Sequence, residues 1–178
     1  MQALKRLIHF VLRHWPETAL LSAALMLAVA HGFQSFLHLM PCTLCLKARE
    51  VYWVAIVLAV VAIVLKRTAL GRKTAPWTDL ALGLVFLFGA GLAVYHAGVE
   101  WHWWPGPTTC SGSGGGGSSA AGVQDLLAGA KAAAPACDKI VWSFLGLSMA
   151  GWNAIVSLKL AVWSFIAAAN EPKTGLLK

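Results

Sequence analysis

Apolar residues fall in four long blocks along this chain, separated by shorter polar or glycine-rich segments. A helix needs about 20 mostly apolar residues to cross roughly 30 Å of hydrocarbon. Residues 18–39 meet that length with His31, Gln34, His38 and small hydroxyls as their polar positions. Residues 51–65 are 15 unbroken apolar residues and reach spanning length by starting near Leu46, which puts Lys47, Arg49 and Glu50 in the first turns at the interface. Residues 80–99 form a third span, in which Gly83, Gly89 and Gly91 allow close helix approach. Residues 141–169 form a fourth, long enough to tilt or protrude. The pattern predicts an all-α membrane protein: one domain over 1–178, a four-helix bundle with spans at 18–39, 46–65, 80–99 and 141–169. A short first loop and a long second one, 100–140, lie on one side.

Composition agrees. Of 178 residues, 58% are apolar and 12% charged, with a mean hydropathy of +0.69. Soluble domains carry about 25% charged residues, so too few remain here to solvate a globular surface. The net charge of +7 acts on topology and calls for no nucleic acid. Nine Lys and Arg (5, 6, 13, 66, 67, 72, 73, 173 and 178) fall on the side of the termini, and four (47, 49, 131 and 139) on the other; Lys159, within the fourth span, completes the 14. The positive-inside rule puts both termini in the cytoplasm and the loops at 40–50 and 100–140 outside. Trp15 and Trp77 are expected in an inner aromatic belt, and Trp53, Trp101, Trp103, Trp104 and Trp142 in an outer one. The basic start followed by Ala28-Val29-Ala30 also has the form of a cleavable signal peptide, but apolar residues continue through Phe33, Phe36, Leu37 and Leu39, which favours an uncleaved span. In the long loop, 111–119 contain only Ser and Gly and read as a flexible tether, and 123–135 read as a short surface helix.

The four cysteines all fall in outward segments: Cys42 and Cys45 in the first loop, Cys110 and Cys137 in the second. In a bacterial-type membrane that side is oxidising, and disulfides persist there. Cys42-Thr43-Leu44-Cys45 is a C-x-x-C whose sulfurs can bond across one turn, with Cys45 near a helix start, where the dipole favours thiolate. Three readings stand: redox exchange, static disulfides clamping the loops, and a four-Cys zinc site. A loop-closing disulfide of the second kind removes chain entropy equivalent to about 3.5 kcal/mol. For zinc, only one pair has ligand-like spacing, and no resident metal is expected. Arg49 lies four residues after Cys45, on the same helical face. Its partner is Glu50, a lipid phosphate or a polar carbonyl ligand beside Cys45, and the cysteine pair above it favours the last.

Pro41-Cys42-Thr43-Leu44-Cys45 with Arg49 resembles the first periplasmic turn of the DsbB family, the bacterial inner-membrane protein-disulfide:quinone oxidoreductases. The run from Trp142 through Ser143-Phe144-Leu145-Gly146-Leu147-Ser148-Met149 to Trp152 resembles that family's entry into its last helix. Tyr95-His96 through Glu100, and Gly106-Pro107-Thr108-Thr109-Cys110, resemble its third helix and outer loop. Ala48 departs from the family, whose members often carry Gln or Glu before the arginine, and the Trp101-His102-Trp103-Trp104-Pro105 run matches only part of it.

The resemblance implies a thiol oxidase that reoxidises a periplasmic DsbA-like thioredoxin-fold partner and passes the electrons to ubiquinone or menaquinone. It further implies that Cys110 meets the partner thiol, that Cys137 pairs with Cys110 at rest and then exchanges with Cys42, that Cys45 faces the quinone, and that Arg49 polarises a quinone oxygen. His96 and Glu100, four apart on the third helix, either bind a metal with His102, pair as interfacial ions, or assist proton uptake by reduced quinone; His96 is therefore a candidate cofactor-binding residue. The alternatives are a vitamin-K-epoxide-reductase-like enzyme, whose C-x-x-C comes late in the bundle rather than opening the second helix, and a non-catalytic assembly factor. Gln34 and His38 are expected to hydrogen-bond across the bundle, Lys159 to snorkel, and Asn153, Gly146 and Ala150 to serve helix packing.

Overall fold

The computed structural model describes residues 2–107, 110 and 136–170. Its elements in chain order are α1 (Gln2–Arg13), α2 (Trp15–Phe36), α3 (Thr43–Lys66), α4 (Gly71–Glu100), a hairpin of β1 (Ser143–Phe144) and β2 (Leu147–Ser148), and α5 (Met149–Asn170). Four of the described helices are long and apolar enough to cross a membrane: α2, α3, α4 from Lys73, and α5. The protein is a multi-pass membrane protein.

The expected spans differ at their ends, for local reasons. The first, expected at 18–39, starts at Trp15 because Pro16 is tolerated in a first helical turn, and stops at Phe36. His38 therefore lies beyond the helix, exposed and with a left-handed backbone (φ 52°), and does not share the face of His31 and Gln34. The second, expected at 46–65, begins at Thr43: Cys42 has an extended backbone, and its sulfur accepts the Cys45 N–H at 3.2 Å, an N-cap made by a cysteine. The third, expected at 80–99, runs over 30 residues from Gly71. At 1.5 Å per residue this is about 45 Å, so α4 projects beyond the hydrocarbon.

The fourth, expected at 141–169, begins eight residues late. Ser143 pairs with Ser148 and Phe144 with Leu147 around a turn in which Leu145 (φ 51°) and Gly146 (φ 79°) are both left-handed. A two-residue hairpin turn of this kind needs positive φ at both centres, which Gly146 supplies without steric cost. Gly146 is thus a turn residue, not a helix-packing one; Ala150, buried at the start of α5, does pack. Ser148 caps α5, its hydroxyl accepting the Gly151 N–H at 3.1 Å. The Ser/Gly tract and the surface helix expected at 123–135 lie outside the described residues.

Helix α1 precedes the four spans. Leu4, Leu7, Ile8, Val11 and Leu12 recur at helical spacing among Lys5, Arg6, His9 and Arg13, which makes it amphipathic. Only Val11 and Leu12 pack against the core.

Neighbouring helices pack in the order α2, α3, α4, α5, with the α4–α5 contact the most extensive. Lipid is as apolar as leucine, so helices associate by close packing and hydrogen bonds rather than by hydrophobic exclusion. The seams follow that rule: Ala19 and Ala23 on α2, Ala55, Ala59 and Ala62 on α3, Ala161 and Ala167 on α5 are all buried. At Gly83, a Cβ would sit 2.6 Å from the Phe165 ring, so only glycine allows that approach. Polar groups add cross-links: Trp15 Nε1 donates to Ser164 Oγ at 2.9 Å, which makes Trp15 a buried α2–α5 tie rather than a belt residue. Trp77 and Trp53 are exposed, as a belt requires, and Lys159 is exposed on α5. The Tyr52 hydroxyl donates to Asn153 Oδ1 at 2.6 Å and lies 2.9 Å from Ser157 Oγ, joining α3 to α5.

Tyr52→Phe removes both of those contacts without changing shape. It is expected to lower stability in a detergent unfolding titration by about 0.6–1.7 kcal/mol, the range for interhelical hydrogen bonds in membranes. An unchanged midpoint would show that the tyrosine ring, not its hydroxyl, holds α3 to α5.

Candidate functional site

All four cysteines meet at one end of the bundle. Cys42 caps α3 and is 5% exposed; Cys45, one turn on, is half-buried, and their sulfurs lie 2.7 Å apart as free thiols. Cys110 and Cys137 are joined in a disulfide across 27 residues of chain, and both are buried. The disulfide is seated by backbone bonds, with Cys110 N–H donating to the Pro107 carbonyl at 2.7 Å and Cys137 N–H to the Cys110 carbonyl at 3.3 Å.

The residue that brings the pairs together is Thr43. Its Oγ1 lies 2.8 Å from Cys110 Sγ and 3.4 Å from Cys137 Sγ, so the first helical residue after Cys42 touches both sulfurs of the other pair. Sequence reading passed over Thr43 as a spacer inside the C-x-x-C. Its one signal there is a hydroxyl between two outward cysteines. Around the cluster pack Leu44, Val99, Leu92 and Tyr95, which surround the sulfurs with apolar surface.

The Cys42 thiol is pushed well above its ordinary range, first by its hydrogen bond with Cys45 and then by burial. The proton shared by the pair therefore stays on Cys42. On the far side of Cys42 its sulfur lies 3.5 Å from His96 Nε2, and that nitrogen lies 3.8 Å from Glu100 Oε1. His96 and Glu100 are both 7% exposed. Ser148 also hydrogen-bonds Glu100. His102, the other expected neighbour of this pair, lies beyond α4, exposed, with a left-handed backbone (φ 58°).

Arg49 does not pair with Glu50. Its Nη1 donates to Gln34 Oε1 at 2.6 Å and its Nη2 to the Ala30 carbonyl at 3.0 Å, both on α2. Glu50 instead pairs with Lys47 at 2.9 Å on the surface. Gln34 does bond across the bundle, as expected, and it is the residue that orients the arginine; His31 turns back to the Leu27 carbonyl of its own helix. Cys42, Cys45, Arg49, His96 and Glu100 all line one cavity of about 400 Å³, whose remaining walls are mostly apolar and include Leu27, Phe33, Pro41 and Trp142. That volume lies in the range of small-molecule sites, and a few converging polar groups in an apolar wall are what such sites present. The arrangement suits thiol–disulfide exchange between adjacent pairs and the holding of a planar apolar molecule with a carbonyl acceptor.

A family model described as "Disulfide bond formation protein DsbB" matches residues 13–167. A curated relative, "Disulfide bond formation protein B" of Xanthomonas axonopodis pv. citri (strain 306), is 30% identical over 158 residues, covering 88% of this chain and 90% of the relative. No solved structure gives a significant match.

The raised Cys42 thiol makes a prediction about the reduced pair. As pH rises through the ordinary thiol range, near 8.5, Cys42 keeps its proton while Cys45 reacts. Limited alkylation followed by peptide mass mapping should therefore find Cys45 labelled well before Cys42. Equal labelling of the two would contradict the assignment.

Proposed function

The chain belongs to the DsbB family of disulfide bond formation proteins, and we propose that it carries electrons from a soluble thioredoxin-fold thiol oxidase of the DsbA kind to a membrane quinone, ubiquinone or menaquinone. The observation that carries this reading is the contact of Thr43 with both sulfurs of the Cys110–Cys137 disulfide, beside the Cys42–Cys45 pair, at a cavity that Arg49 also lines. The nine-to-four division of positive charge supports a bacterial inner-membrane protein with both termini cytoplasmic and the cysteines periplasmic.

The exchange sequence balances as follows. A partner thiolate attacks Cys110 Sγ, the Cys110–Cys137 bond breaks, and Cys137 leaves as thiolate. Cys137 attacks Cys42 of an oxidised Cys42–Cys45 pair and frees Cys45. The partner's second thiol then resolves its bond to Cys110, and Cys110 attacks Cys137 to release Cys42. The partner has lost two electrons, the Cys110–Cys137 bond is restored, and the inner pair holds the two electrons as free thiols. That last state, with Cys110–Cys137 joined and Cys42 and Cys45 free, corresponds to the sulfur arrangement described above.

The residues at the cavity suit a quinone: apolar walls for the ring, and the Arg49 guanidinium and His96 for its oxygens. When bound, a quinone supplies an acceptor for two electrons and two protons. Arg49 binds and orients, since Gln34 and Ala30 fix its plane. As Cys42 and Cys45 rejoin, His96 Nε2 is 3.5 Å from the Cys42 sulfur and takes its proton, with the Glu100 carboxylate 3.8 Å from that same nitrogen. Leu44, Val99 and Leu92 keep water from the sulfurs.

In an assay of quinone reduction by a reduced DsbA-type protein, Cys45→Ser abolishes turnover. Turnover by that variant would instead favour an assembly factor with inert disulfides. Arg49→Ala, losing a charge-assisted hydrogen bond of about 1.5–3 kcal/mol, raises the quinone KM about ten- to a hundredfold. An unchanged KM would place the quinone elsewhere.

A further inference from the structure

The Cys42 and Cys45 sulfurs and His96 Nε2 lie within 4.8 Å of one another. In a tetrahedral zinc site with bonds of about 2.0–2.3 Å, ligand atoms are about 3.3–3.8 Å apart. The Cys42 sulfur and His96 Nε2 are already at that spacing, 3.5 Å. The two sulfurs, at 2.7 Å, need to part by about 1 Å to reach it. A fourth ligand is within reach on the same helix as the histidine: Glu100 Oε1 lies 3.8 Å from His96 Nε2, outside the group formed by the two sulfurs and that nitrogen, and has to swing toward it. It faces the ring nitrogen that also faces the sulfur, so Glu100 is placed as a co-ligand and not as the outer partner that orients a ligating histidine from its other nitrogen. Independently of these distances, Glu100 Oε2 is buried without a hydrogen-bond partner among the described residues, and Glu100 is only 7% exposed.

We propose that the reduced Cys42–Cys45 pair, His96 and Glu100 form a redox-gated site for a thiophilic divalent cation of the zinc class. Two sulfurs and an imidazole select such an ion over magnesium or calcium. Two thiolates and a carboxylate bring three negative charges, the ion two positive ones, and Arg49 on the same cavity supplies the balance. Coordination exchanges thiol protons for the cation and changes no oxidation state. The site exists only while the pair is reduced, because the Cys42–Cys45 disulfide removes both thiolates. Resting on the function proposed above, an ion held there stops the protein after electrons have entered the inner pair and before they leave it.

The test uses the full chain in detergent micelles, reduced with a phosphine, with cobalt(II) as the spectroscopic stand-in. The expected result is one cobalt per chain, with thiolate-to-metal charge transfer and tetrahedral d–d bands, displaced by zinc and not by magnesium. Oxidising the pair or introducing Cys45→Ser abolishes the signal, Glu100→Gln weakens binding, and the Cys110→Ser/Cys137→Ser double variant retains it. No signal in the reduced chain, or a signal that survives Cys45→Ser or depends on Cys110 and Cys137, overturns the site. Quinone turnover is measured on the same preparation without metal. Turnover without cobalt binding removes the metal site alone, and cobalt binding without turnover removes the functional reading alone.

Discussion

Because Cys42 caps α3, one helical start sets how the two cysteine pairs meet. The N-cap places Cys42 and Cys45 one turn apart, with the Cys42 sulfur turned back onto the Cys45 N–H. It also makes Thr43 the first helical residue, and its side chain reaches the Cys110–Cys137 disulfide. A start one residue later would turn Thr43 away by about 100° and break the contact between the pairs, since each residue advances a helix by that angle. Pro41 helps to hold the start where it is, because it has no N–H to offer an earlier turn. The Cys110–Cys137 disulfide is thus docked against a helix terminus.

The rest of the bundle holds that terminus in place. Alanine seams let α3 approach both α2 and α4, while Tyr52 ties it to α5 through Asn153 and Ser157. Hydrocarbon gives no hydrophobic drive for these contacts, so small residues and satisfied hydroxyls carry the packing. The polar residues of the spans accordingly divide into two sets. Trp15, Ser164, Tyr52, Asn153 and Ser157 satisfy one another in the core. Arg49, His96 and Glu100 converge instead on the cavity beside the cysteines, where a polar group in a membrane protein has to be accounted for by a ligand, a proton or an ion.

The number of spans was legible in the sequence because apolar runs of spanning length depend on composition alone. Their ends were not, because each end turns on a local device: Pro16 at the start of α2, a cysteine acting as cap on α3, and a two-residue hairpin before α5. The run from Trp142 to Met149 was singled out correctly as a distinct segment, yet its apolar residues read as a helix start; Leu145 adopting a left-handed backbone beside Gly146 is a tertiary outcome that no propensity signals. Helix α1 was written in its periodicity, but its basic residues drew attention as topology markers. At the site, the cysteines, Arg49 and His96 stood out as residue types misplaced in apolar surroundings. Thr43 did not, and Gln34 was read as a cross-bundle hydrogen bonder without its partner Arg49, because the importance of both lies in what they touch.

Gln34 gives the clearest case of a partner hidden from sequence. A guanidinium has five N–H donors in one plane. Among the described residues, Gln34 and the Ala30 carbonyl engage both terminal nitrogens from the α2 side, so the plane of Arg49 is set before anything enters the cavity. Donors on the same nitrogens remain for a ligand oxygen, and such an oxygen need not displace α2. An arginine anchored on one side and open on the other has lost its rotamer entropy in folding, so little further ordering opposes binding. An interfacial arginine left to snorkel would have to be ordered anew by each ligand. The α2–α3 contact is therefore part of the proposed binding site as well as of the bundle, and the small residues of that seam, Ala19, Ala23, Ala55 and Ala59, allow the two backbones to come close enough for it to form.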